Sequence, residues 1–258
     1  MSKICRYKHI DRYAFGKVLA VLMALLLLSG CSAKQQNAVS VGVTGDESSE
    51  PHVDIAKLRE TNEDIFAWIN VPNTSIDYPV LQSSDGDDSF YINHNVNKEA
   101  DPKGAIYTEC ANLKDMCDFN EVLHGSSPED GTMFADVEKF LDRKYFEEHP
   151  YIYVYMEGNA LIYYAFAAYS RSNTRLLQEY DFTCVSGCQA FLDEIYNSRS
   201  MTKNIRSGWE GAVAPENFII TLTTTDSTDP SKQIIVVGCL VGDVMGKIDR
   251  EIDYSEPE

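Results

Sequence analysis

The groups able to do chemistry sit in a few short stretches. Thr225-Asp-Ser-Thr-Asp-Pro-Ser-Lys232 is a polar loop of turn-forming residues between two β-branched, apolar runs, Phe218 to Thr224 and Gln233 to Val241. A second stretch, Asn120 to Phe134, carries His124 and Ser126. The hydroxyl of Thr225 or Ser126 has no useful anionic fraction at neutral pH, so either acts as a nucleophile only with a base beside it. His124 is the candidate for that base. The chain has seven cysteines. Cys110 with Cys117 and Cys184 with Cys188 are candidate disulfides in an oxidising compartment. Cys239 reads as a small buried apolar residue. Asp85, Asp87 and Asp88 offer carboxylate oxygens to calcium, or form a solvated loop. No metal site has convincing spacing, and no cofactor is expected.

The elements that must position these groups are mostly strands. The two runs flanking the 225–232 loop are strands, and Val71 to Leu81 turns into strand after a turn at Pro72-Asn73. Tyr151 to Met156, a turn at Glu157-Gly-Asn159, and Leu161 to Tyr169 form a hairpin. Ile55, Leu58, Ile65 and Trp68 recur at helical spacing, so Val53 to Ile69 is expected to be helical, with Asn62 capping a second short helix. Val137 to His149 is expected as one helix ending before Pro150, with Val137, Phe140, Leu141 and Tyr145 on its apolar face.

The N-terminus sets the compartment. Residues 1–17 are basic, Val18 to Leu28 is an apolar core, and Leu28-Ser-Gly-Cys31 follows. The core is shorter than the roughly 20 residues that span a bilayer. The tetrapeptide looks like a bacterial lipobox, which implies diacylglycerol on Cys31 and a domain tethered outside the cytoplasmic membrane. Ala33 to Pro51 is polar and reads as a flexible tether. The expected organisation is a signal peptide over 1–30, the lipidated cysteine and tether over 31–52, one domain over 53–243 and an acidic tail over 244–258. The formal net charge is −18, and losing residues 1–30, with five basic groups and one acid, takes it to −22. That balance excludes nucleic acid as a partner, because phosphate binding needs a basic surface. It also excludes adhesion of the domain itself to anionic lipid.

The strand, polar loop, strand layout resembles the nucleophile region of the sortases, cysteine transpeptidases of Gram-positive surfaces. In that family the first strand ends in a TLxTC-type motif and an arginine opens the second; this chain has Thr221-Leu-Thr-Thr-Thr225 and Gln233. Class B sortases carry a GWI-x-[IV]-P-x-T-x-IDYPV-x-Q segment. Here it reads Ala67-Trp-Ile-Asn-Val-Pro-Asn-Thr-Ser-Ile-Asp-Tyr-Pro-Val-Leu-Gln82. Their YLxH-type and Gly-x-Ile-Phe-type stretches match Tyr91-Ile-Asn-His94 and Gly104-Ala-Ile-Tyr107. Aligned on Gly125 and Gly131-Thr-Met-Phe134, the family's catalytic histidine falls on Ser126, and His124 takes a tyrosine position two residues earlier. Positions two apart on a strand point the same way, so His124 is a displaced substitute or a partly buried packing residue.

The resemblance covers residues 53–243. It implies a mainly β fold, the sortase-type β-barrel, with N-terminal helices and an inserted helix around Phe191 to Tyr196, before the last strands. The family's chemistry needs a thiolate, a proton-donating histidine and an arginine for the oxyanion. Their positions hold Thr225, Ser126 and Gln233. The resemblance therefore implies a catalytically degenerate protein that binds a sorting-signal peptide, a pilin-like subunit or an active sortase. One alternative is a transpeptidase or hydrolase using Thr225 or Ser126; the other is a structural surface protein without a ligand.

Overall fold

The computed structural model describes residues 53–244. The signal segment, Cys31, the tether and the acidic tail beyond Val244 lie outside the described residues. Nine strands form one sheet: β1 (Ile65–Asn70), β2 (Asp77–Leu81), β3 (Ile106–Tyr107), β4 (Asn120–His124), β5 (Tyr151–Met156), β6 (Asn159–Ser172), β7 (Asn204–Ile205), β8 (Ile219–Thr225) and β9 (Lys232–Asp243). Their order is β5-β1-β2-β3-β4-β8-β9-β6-β7, and a further β5–β6 pairing closes eight of them into a barrel, with β7 attached to β6. Only β2–β3 and β4–β8 are parallel. This is the mainly β barrel expected from the sequence.

Strand alternation places the core. Ile152 and Val154 of β5 are fully buried inside, while Tyr151, Tyr153 and Tyr155 between them face outward. β8 and β9 are buried on both faces and read as continuous apolar runs. Their inner face joins the barrel core through Ile220, Leu222 and Val236. Their outer face, with Ile219, Ile235 and Val237, is covered by the helix α4 (Val185–Asn197), which follows the single-turn helix α3 (Leu176–Glu179). That helix buries Cys188, Phe191, Leu192 and Ile195, the spacing of one helical stripe, and it is the expected insertion.

Two helical expectations are corrected. The first helix, α1, covers only Ile55–Arg59 and is the one helix of the described residues before the barrel; Ile65–Asn70 is a strand. The helical spacing of Ile65 and Trp68 lost to pairing, because β1 lies between β2 and β5 and buries Ile65, Phe66, Ala67 and Ile69. Asn62 does not cap a second helix. Its Oδ1 accepts from the Asp64 amide and its Nδ2 donates to the Tyr91 hydroxyl and the Val96 carbonyl. The helix expected over Val137 to His149 is broken at Asp142. A 3₁₀ segment, Ala135–Leu141, precedes α2 (Arg143–Glu148), whose N-cap is Asp142 with Oδ1 accepting from the Tyr145 amide at 2.8 Å.

Asp64 ties the N-terminal segment to the barrel mouth. Its carboxylate accepts from the Tyr91 hydroxyl at 2.6 Å and the Ser84 amide at 2.9 Å, and pairs with Lys98 at 3.0 Å. Burial alone would raise this carboxyl, but the hydrogen bonds from Tyr91, Lys98 and Ser84 outweigh it and hold the pKa at about 2. A depressed carboxyl stabilises the fold above its unfolded pKa, and that stability is lost as pH falls toward the folded value. Asp64→Asn is therefore expected to cost about 2 kcal/mol at pH 7 and to flatten the loss of stability between about pH 5 and pH 2, as read by urea unfolding across that range.

Candidate functional site

The barrel brings distant stretches together at one end. The parallel register sets His124 at the end of β4 beside Thr223 of β8, and the β8–β9 register sets Thr225 opposite Gln233. Gln233 in turn faces Arg171 of β6. The segment leaving β6, Asn173-Thr174-Arg175, closes the far wall. Between these walls lies a cavity of about 400 Å³, whose lining includes Thr223, Thr224 and Thr225 as well as Lys103, Ser126 and Arg175.

The three positions singled out by the motifs meet here, and each is engaged by the fold. Thr225 Oγ1 accepts from Asn173 Nδ2 at 3.4 Å. Ser126 Oγ donates to the Lys103 carbonyl at 2.6 Å. Gln233 is buried, with Oε1 accepting from Thr223 Oγ1 and Nε2 donating to the Thr174 carbonyl, both at 2.8 Å. Gln233 thus joins β8, β9 and the far wall through one neutral side chain.

His124 lines the cavity but makes no hydrogen bond to either hydroxyl. Its ring stacks on Tyr107 with centroids 5.1 Å apart, and its Nε2 is 3.4 Å from Glu109 Oε1. That separation is an ion-pair distance and the geometry is not that of a hydrogen bond, so Nε2 is a buried nitrogen without a hydrogen-bond partner. Arg175 Nε lies 3.8 Å from the same Glu109 oxygen. Glu109 is itself buried behind this pair.

Among the described residues, no cysteine lines the cavity. Cys239 sits on β9 opposite Ile219 and belongs to the cluster under α4; burial pushes its thiol up to about 11, away from thiolate chemistry. The structure holds neither the Cys110–Cys117 nor the Cys184–Cys188 disulfide. Their sulfurs are directed elsewhere: Cys110 to the Ser83 carbonyl, Cys117 to that of Asp115, Cys184 to that of Asp181 and Cys188 to that of Phe182. Among the described residues, no three His, Cys, Asp or Glu side chains gather as a metal would require. Of the acidic run, Asp87 accepts from the Ser89 amide and Asp88 from the Cys110 amide, which makes both of them loop-forming groups; Asp85 stands exposed beside them.

Sequence reading missed the far wall. Asn173 and Arg175 follow a long strand in an unremarkable polar stretch, 50 or more positions before Thr225. Only the β6–β9 pairing carries them to the cavity. Lys103 was equally silent, because it faces the site from the loop before Gly104, whose φ of +64° sharpens the turn there.

No protein-family model matches the chain. Among curated proteins it is 30% identical over 195 residues to sortase B of Listeria monocytogenes, spanning 74% of this chain and 73% of that protein. It is 28% identical over 186 residues to sortase B of Staphylococcus aureus, spanning 71% of this chain and 73% of the relative. Among solved structures, a mutant form of Clostridium perfringens sortase B superposes with a TM-score of 0.64 at 29% identity, over 72% of this chain and 86% of that one. A sortase B–substrate complex from Staphylococcus aureus superposes with a TM-score of 0.62 at 28% identity, over 72% and 84%.

Gln233→Ala is expected to strand the Thr223 hydroxyl and the Thr174 carbonyl and to cost about 1–3 kcal/mol. Gln233→Glu keeps the acceptor toward Thr223 but turns a buried carboxylate oxygen on the Thr174 carbonyl, and should cost at least as much as Gln233→Ala at pH 7. Chemical denaturation of the three proteins checks this order.

Proposed function

The chain belongs to the sortase B family, and on that premise we propose that it binds a peptide in the β4–β8 cavity without cleaving it. The observation that carries this reading is the state of Thr225, Ser126 and Gln233. All three face the cavity, none is a thiol, imidazole or guanidinium, and each is hydrogen bonded within the fold. A nucleophile, a proton donor for the leaving amine and a cationic oxyanion donor are thus missing from the positions that would supply them. The cavity itself persists at about 400 Å³, in the range of small-ligand sites. The substrate complex of a relative with the same barrel supports a peptide as the occupant.

The two other readings have less support. A hydroxyl nucleophile needs a base, and His124 is directed at Glu109 and Tyr107 instead. A purely structural protein would have its groove filled by the 225–232 loop. That loop instead turns on itself through Asp226 and Asp229, and docks Ser227 on Glu138 at 2.7 Å.

The occupant is a sorting-signal peptide, a pilin-like subunit or a segment of an active sortase. The setting is the outer face of the cytoplasmic membrane, with the lipid anchor on Cys31. The basic start, apolar core and Leu28-Ser-Gly-Cys31 support that setting. No helix of the described residues is long and apolar enough to cross a membrane.

Incubating the native protein with a sorting-signal peptide library and a glycine-containing acceptor, followed by mass spectrometry, should return every peptide intact. The triple variant Ser126→His, Thr225→Cys, Gln233→Arg should cleave a subset. Turnover by the native protein would sink the non-cleaving reading.

A further inference from the structure

The cavity has a charge pattern opposite to that of the chain around it. The sequence holds 40 acidic and 22 basic side chains. Yet among the described residues that line the cavity, the charged ones are Lys103 and Arg175, with His124 beside them, and none is Asp or Glu. Random sampling of this surface would supply carboxylates first. Their counter-charges stand outside the lining: Asp130 meets Lys103 in an exposed ion pair, and Glu109 lies buried behind Arg175 and His124.

The donors in this cluster are only partly used. Arg175 is about one-third exposed; Nη2 donates to Ser89 Oγ at 3.2 Å, Nε is 3.8 Å from Glu109, and Nη1 has no acceptor among the described residues. His124 Nε2 is buried without a hydrogen-bond partner. Thr224 Oγ1, also in the lining, is buried and unpaired as well. Open guanidinium N–H groups are shaped to hold a carboxylate through two parallel bonds. The Lys103–Asp130 pair is exposed and weak, so an incoming anion competes with Asp130 at little cost.

We propose that the cavity is a carboxylate-binding subsite, with Arg175 as the anchoring cation and Lys103 as a second positive group in its lining. The ligand is then a peptide carrying either an acidic side chain or a free C-terminal carboxylate. This rests on the peptide-binding reading above and adds the chemistry that selects the peptide. It also gives the cavity a cation that Gln233, the group opposite Thr225, does not supply.

Four pools of degenerate N-acetylated heptapeptides separate the sources. Two are C-terminally amidated, with the central residue fixed as Glu or as Gln; two have alanine at the centre and end in a free acid or an amide. Each pool is passed over the immobilised native protein and the retained fraction is quantified by mass spectrometry. One acid pool is expected to be retained about five- to tenfold more than its amide counterpart, the gain of a charged over a neutral hydrogen-bonded acceptor. The ratio should fall toward one in 0.5 M salt, roughly a Debye length of 4 Å. Arg175→Gln should abolish it, Arg175→Lys should keep part of it, and Lys103→Gln, at a half-exposed side chain, should lower it. Equal retention of acid and amide pools overturns this inference and leaves peptide binding standing. Retention of none of the pools overturns both. An acid preference that survives Arg175→Gln overturns the assignment of the anchor.

Discussion

The parallel seam between β4 and β8 is the constraint on which the site depends. Its register runs from Asn120 opposite Ile219 to His124 opposite Thr223, joining positions about a hundred residues apart. A buried hydrogen bond from Thr221 Oγ1 to Asn120 Oδ1, at 2.8 Å, fixes it from the side chains. A shift by one residue would turn Val122 and Leu123 to the wrong faces, one out of the α4 cluster and the other out of the barrel core. With the seam fixed, Ser126 just beyond β4 and Thr225 at the end of β8 must open on the same cavity. β9, paired to β8 on its other side, then delivers Gln233 opposite Thr225.

The same scaffold, with different side chains, changes what the cavity can do. A charged guanidinium at position 233 would be buried between β8 and the far wall. The glutamine there is neutral and satisfied at both ends, so it serves the fold. The cationic character of the cavity comes from Arg175 and Lys103, which approach from segments that are not strands. Arg171, near the end of β6, holds the far wall from behind. It donates to Glu194 at 2.7 Å and to Glu179 at 2.8 Å, and its Nη1 reaches Thr174 Oγ1 at 3.0 Å. This buried ion-pair network links α4 to the cavity wall and keeps Thr174 where Gln233 needs it.

Much of the barrel was legible because its strands obey simple patterns. The alternation in Tyr151 to Met156 and the β-branched runs at 218–224 and 233–241 appear as strands at nearly those bounds. The stretch around Trp68 was not legible. Its apolar residues fit a helical period by coincidence, and only pairing with both β2 and β5 decides for a strand. Part of the cavity lining could be read from the motif positions Ser126, Thr225 and Gln233, since resemblance fixed their places. Its far wall could not, because nothing local distinguishes Asn173 or Arg175 from any polar residue after a strand. The cysteine spacings suggested disulfides; the fold instead turned the sulfurs of Cys117, Cys184 and Cys188 toward carbonyls a few residues away and that of Cys110 toward the distant Ser83 carbonyl.

The central claim is that a peptide enters this cavity and leaves it unchanged. A methyl-resolved NMR titration of the native protein with sorting-signal peptides, recorded over many hours, tests entry and turnover in one sample. The account predicts shifts confined to the methyls that line the cavity, those of Ile92, Ala105, Thr174, Thr223, Thr224 and Thr225, with peptide resonances that stay intact throughout. A titration in which these methyls do not move, or in which the peptide signals give way to those of cleavage products, would contradict it.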